Sequence, residues 1–148
     1  MVGMIWVIQV LHYPSLGKAG KLTFETENEA IYDALQSQHV DRIGNLLLAP
    51  WLIEGVTLLA ILWIALFKSE YLTRLPTLIN GAAMAVILAI SGFWSAPAHG
   101  KLLDRFGADV YDGLMTANFV RTIAWTICGV MSVWSLVDLM KRNEIMNR

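Results

Sequence analysis

The chain has 148 residues, of which 56% are hydrophobic and 16% charged, with six tryptophans and a net charge of −1. A soluble domain carries about a quarter charged residues, and here the apolar residues gather in blocks too long for core strands, so the expected class is an all-α membrane protein. The charge argues against a nucleic-acid partner. The single cysteine, Cys128, excludes an intrachain disulfide and any CxxC motif, and reads as a small packing residue in the last apolar block.

The first helix is expected over about residues 1–22. MVGMIWVIQVL lacks a basic flank and no small-residue cleavage site follows it, so it reads as a retained helix rather than a signal peptide. Pro14 can kink a membrane helix without ending it, which lets the helix continue through Gly17 and Gly20. Residues 23–42, TFETENEAIYDALQSQHVDR, are polar and acidic, with Ile31, Tyr32 and Leu35 at helical spacing. They predict a short extramembrane helix, with Thr26 or Asn28 as its N-cap.

The second helix is expected over 39–67. From Ile43 to Phe67 the one charged residue is Glu54, and ~25 helical residues cover ~37 Å, enough to cross a hydrocarbon core of ~30 Å. A carboxylate at that depth is costly, which makes Glu54 a functional-site hypothesis that needs a partner.

KSEYLTRLP then makes a short connection, with Pro76 in the first turn of a third helix over 76–96. Gly81, Ala82, Ala83, Ala85, Ala89 and Gly92 give that helix a small-residue surface for close packing, inside the bundle or between protomers of a homo-oligomer or larger complex. Pro97 marks its end or a break. A polar loop with a short helix (LLDRFGADVYDGLM) leads to a fourth helix over 118–140, which Asn118 either caps or serves as a site residue. Asp138 is expected to pair with Lys141 or Arg142 near that helix's basic end. No repeat or linker divides the chain, so the predicted architecture is one transmembrane four-helix bundle. Lys/Arg density favours both termini on the cytoplasmic side.

Helical rise places the polar groups by depth from the termini side. At ~1.5 Å per residue, His12 lies ~16 Å up, Glu54 ~20 Å, Arg121 ~28 Å, His99 ~34 Å and His39 ~40 Å. His12 and Glu54 therefore share a level, and Arg121 can reach down to them. His99 joins only if Pro97 folds the PAHG turn inward. This leaves three readings of the set open. One is a structural ion pair between Glu54 and Arg121, with His12 as helix-to-helix glue. Another is a pocket for a lipophilic small molecule, with Glu54 or His12 moving protons and Arg121 stabilising negative charge. The third is a transition-metal site of His12, Glu54 and His99, a donor set that suits iron, copper or zinc, although no HExxH-like spacing supports it. Haem ligation through His12 or His99 lacks a CxxCH motif. His39 and Arg42 read as a solvated helix start or as a gate over the pocket. Trp51 and Trp125 are candidates for an aromatic lining, with the other tryptophans as belt or packing residues.

HYP at 12–14, HVDRIG at 39–44, Pro50 with Glu54, PAHGKL at 97–102 and NFVRTIAW at 118–125 together resemble a group of small four-helix bacterial membrane proteins. That group is distantly similar to the anthrone oxygenase-like proteins. The resemblance implies a bacterial inner-membrane protein that oxidises a hydrophobic, ring-containing molecule in the bilayer, without a permanent cofactor. The polar residues it matches are His12, His39, Glu54, His99, Asn118 and Arg121. Two functions follow: a membrane oxidoreductase acting at His12, Glu54, His99 and Arg121, or a non-catalytic accessory subunit whose buried charges serve assembly. A transporter is a third reading, and four helices without a repeat would have to oligomerise to form its pathway.

Overall fold

The computed structural model describes residues 2–26, 34, 45–67, 73–104 and 106–146, with the backbone alone for several helical positions that include Trp51 and Glu54. The predicted extramembrane helix, with His39 and Arg42, lies outside the described residues apart from Ala34 and the stretch before residue 27. The described chain is helical and contains no strand.

Helix α1 spans 2–26 and is built from Val2–Val7, a π-helical stretch Ile8–His12 and Tyr13–Thr26. Helix α2 is Asn45–Phe67. Helix α3 spans 74–104, as Arg74–Ile90, a second π-helical stretch Ser91–Ser95 and Ala96–Asp104. Helix α4 is Ala108–Met146. Two helices, Arg74–Leu102 within α3 and Ala108–Ile145 within α4, are long and apolar enough to cross a membrane.

The two wide turns have a common cause in the sequence. Each ends two residues before a proline: His12 before Pro14, and Ser95 before Pro97. A proline inside a helix lacks its N–H, and its ring collides with the carbonyl four residues back. Widening the preceding turn moves that carbonyl away and keeps the chain helical. The amides just before the prolines record the shift: Tyr13 N–H donates to the carbonyl of Ile8 and Ala96 N–H to that of Ser91, each five residues back. Pro97 therefore neither ends nor breaks α3, in contrast to the expectation.

The segment expected to form a polar loop with a short helix is instead absorbed into lengthened α3 and α4. Ala98 and Leu102 on α3, and Tyr111, Leu114 and Ala117 on α4, form a buried stripe at helical spacing. Burying that stripe stabilises the added turns beyond the apolar spans. Asp109 sits in the first turn of α4, where a carboxylate favours the helix N-terminus. Asn118 is consequently an interior residue of α4 rather than a cap.

Helices α3 and α4 run antiparallel. Thr73 hydrogen-bonds to Asp138 at one end, Asn80 Nδ2 donates to Ser132 Oγ at 3.3 Å further along, and Leu102 packs with Leu114 at the other end. Asp138 also pairs with Arg142 at 3.0 Å across one turn, one of the two partners expected for it. Helix α1 runs antiparallel to α4 as well. Val2 lies against Gly129, Tyr111 Oη donates to the Tyr13 carbonyl at 2.8 Å, and Gly20 lies against Phe106. Gly17 and Gly20 permit this approach, because a Cβ at either would lie 2.3 Å from a ring of Tyr111 or Phe106.

The small residues of α3 divide between the bundle and the outside. Gly81 faces Leu62 of α2 and Ala83 enters the core, but Ala82, Ala85, Ala89 and Gly92 are exposed.

Side chains gather in two apolar clusters. One holds Ile5, Leu58, Ala83, Met84, Ile87, Ala124, Trp125 and Cys128. The other holds Ile8, Tyr13, Leu16, Ala98, Leu102, Tyr111 and Leu114. Cys128 is the buried packing residue that the sequence suggested, with Sγ directed at the Asn80 carbonyl.

Candidate functional site

A polar layer lies between the two apolar clusters, and each of its walls follows from local sequence. Asn118, Arg121, Thr122 and Trp125 recur at three- and four-residue spacing, so they share the face of α4 that looks into the bundle. Asn118 and Thr122 are wholly buried, and Trp125 is 3% exposed. Opposite them stand the wide turns of α1 and α3. Gln9, inside the α1 wide turn, receives a hydrogen bond from Asn118 Nδ2 at 2.6 Å. The register set by Asn80 against Ser132 brings Ser91 about level with Arg121, and Ser95 about level with Asn118.

At one edge of the layer Tyr13 Oη and His99 Nε2 are hydrogen-bonded at 3.0 Å, with the rings stacked at 6.0 Å between centroids. Tyr13 is 3% exposed, and the bond from Tyr111 to its carbonyl fixes its backbone. The His12 ring is tilted against Tyr13, centroids 5.9 Å apart. Arg121 lies near enough for its charge to act on the Tyr13 hydroxyl and the His99 ring, and His12 acts on His99 in the same way. His12, His99 and Arg121 thus come together around Tyr13.

His99 joins without any fold-back at Pro97. The equal-level assumption behind the depth estimates fails because α1 is displaced along the bundle. Val2 faces Gly129, which stands about 13 Å up α4 from Asp138. Raising α1 by that amount lifts His12 from ~16 Å to about the level of Arg121.

Glu54 lies on α2 one turn beyond Leu58, itself a member of the first apolar cluster. Its side chain is outside what the structure describes, as is that of Trp51. Among the described residues, no three His, Cys, Asp or Glu side chains form a group able to hold a metal ion.

Several buried polar atoms of the layer make no hydrogen bond among the described residues: Ser91 Oγ, Ser95 Oγ, Asn118 Oδ1, Arg121 Nε and Trp125 Nε1. Tyr13, Gln9, Ser91 and Ser95 were not singled out by sequence reasoning. The available signal was the proline two residues beyond each wide turn, at Pro14 and Pro97.

Chemically, the layer offers a phenol–imidazole pair, a fixed guanidinium charge and an indole N–H, enclosed by hydrocarbon. Comparison of the chain with protein-family models, curated proteins and solved structures finds no match.

Proposed function

We propose that the chain is an integral membrane protein, a four-helix bundle set in the bilayer with both termini cytoplasmic. Its polar layer receives a lipophilic small molecule, and Tyr13, His99 and Arg121 act on the molecule's reacting group. The observation that carries this reading is the Tyr13–His99 hydrogen bond with the Arg121 charge beside it. A phenol and an imidazole in contact can pass a proton, and a fixed positive charge beside them stabilises the oxyanion left behind.

Residence in the bilayer is supported by α3 and α4 together with outward-facing apolar side chains. Leu59, Trp63, Leu88, Val130, Val133 and Leu136 are all exposed, more apolar surface than a protein in water leaves uncovered. The resemblance at PAHGKL and NFVRTIAW supports oxidation of a ring-bearing lipophile as the reaction class and the bacterial inner membrane as the location.

Product analysis by mass spectrometry, after incubating reconstituted protein with a panel of ring-bearing lipophiles, tests the proposal. Turnover in the parent should disappear in Tyr13→Phe and His99→Ala while helicity and monodispersity persist. If those variants instead unfold or dissociate, the accessory-subunit reading takes its place. Elemental analysis of the same preparation, repeated on His12→Ala, tests whether iron, copper or zinc accompanies the pocket.

A further inference from the structure

The serines of the α3 wide turn break a rule kept elsewhere in the chain. Every other described Ser or Thr side chain in a helix donates to the carbonyl four residues back, as Thr122 and Ser132 do. The hydroxyl oxygens of Ser91 and Ser95 are buried, yet neither makes that bond or any other among the described residues. The wide turn swings them out of line with the usual acceptor. Across from them, Arg121 Nε and Trp125 Nε1 are buried donors that find no acceptor among the described residues. Four donor-capable groups therefore lie at about one level of the bundle, where an unmade hydrogen bond is costly.

The charge sets what must fill the layer. A guanidinium stays protonated, and no carboxylate pairs with Arg121 among the described residues. A cation set among apolar helices calls for an anion. Its planar fork matches a planar, two-oxygen head better than a spherical one. Asn118 Nδ2 is committed to Gln9, so Asn118 Oδ1 is an open acceptor there, suited to a serine hydroxyl that is not turned to the ligand.

We infer that the layer is a carboxylate receptor: it binds the head of an amphiphilic monocarboxylic acid through Arg121, Trp125 and the serines of the α3 wide turn. The inference rests on the lipophile-binding reading above and adds the ligand's head group. The tail lies in the hydrocarbon around the helices. The acid is itself an amphiphile, so it reaches the layer from the lipid phase.

The test uses the full chain in nanodiscs of a neutral phosphatidylcholine. Carboxyl-13C-labelled decanoic acid is titrated by NMR, and decan-1-ol, methyl decanoate and decyl phosphate compete for it. The expected result is saturable, stoichiometric binding of the acid, about tenfold or more tighter than the alcohol or ester. Arg121→Gln should abolish that preference, and Arg121→Lys should be intermediate. Equal affinity for acid and alcohol would overturn the carboxylate assignment and leave the lipophile reading standing. Preference for decyl phosphate, or an acid preference that survives in Arg121→Gln, overturns it as well. If no decyl compound binds, both readings fail. The comparison of head groups on the unaltered protein decides the matter even if an Arg121 variant does not fold.

Discussion

Asn118 shows how much one side chain holds in this molecule. It is wholly buried, and its amide spans from α4 to Gln9 of α1 at 2.6 Å. Replacing it with alanine removes the donor and leaves the Gln9 carbonyl oxygen in a closed layer. The expected cost is about 1–3 kcal/mol, the penalty for a buried group stripped of its partner. Thr126→Val is the companion variant. It removes the acceptor for Trp6 Nε1, at 3.1 Å in an exposed position, and since a hydrogen bond between helices in a membrane is worth on average about 0.6 kcal/mol, it should cost less than about 1 kcal/mol. Reversible denaturation in mixed micelles measures both. Equal losses would mean that Asn118 is not the tie between α1 and α4 that its burial implies. The site was legible in part at this scale. His12, His99, Asn118, Arg121 and Trp125 stand out because polar groups inside apolar runs are expensive. Tyr13 and Gln9 do not stand out, since neither is unusual in such a run, and only the pairing of helices gives them partners.

At the scale of the element, the prolines set the shape of the site. Pro14 and Pro97 each follow a wide turn, and both turns face the same stretch of α4. Pro97→Ala restores the missing N–H and removes the ring's clash with the carbonyl four residues back. Ser91–Ser95 should then tighten to an ordinary α-helical turn, changing the register of everything beyond it by one residue, or about 100°. His99 would swing away from Tyr13, and Leu102, wholly buried now, would leave its place against Leu114. The 15N signals of the His99 ring should move while far-UV ellipticity stays constant. Unchanged ring signals would show that something other than the proline holds the turn open. One helix start was readable where local chemistry marks it: Pro76 falls in the first turn of α3, where the sequence puts it. The ends of α3 and α4 near residue 105 were not, because the length of an apolar span measures the bilayer rather than the helix. The extra turns are held by a packed stripe that a hydropathy count passes over.

For the whole molecule, the outward faces report which solvent surrounds it. Leu88 on α3 and Val130 on α4 are 45% and 56% exposed, and both lie well inside the two helices long enough to span a membrane. Around a protein in water, a substitution at such surface sites changes stability by no more than about 0.5 kcal/mol, and lysine there would even aid solubility. Around a protein in a bilayer, a lysine near mid-depth costs about 2.5–3.5 kcal/mol on insertion scales. Leu88→Lys and Val130→Lys should therefore be poorly inserted and degraded in cells, and the surviving protein should be less stable in vesicles. Lys141, at the polar end of α4, provides the contrast, since Lys141→Leu should change little. The outward face of α4 beyond Gly129 adds a second expectation at the same scale. Val133, Trp134 and Leu136 are exposed there. In a bilayer these side chains meet lipid. Val133→Lys should then carry a penalty of the same kind, decreasing toward Asp138 as the charge nears the interface and can extend into it. Membrane-fraction yield and vesicle stability, measured along that series, give a depth profile for the molecule. A flat profile with every lysine tolerated would place the chain in water and remove the bilayer from the account.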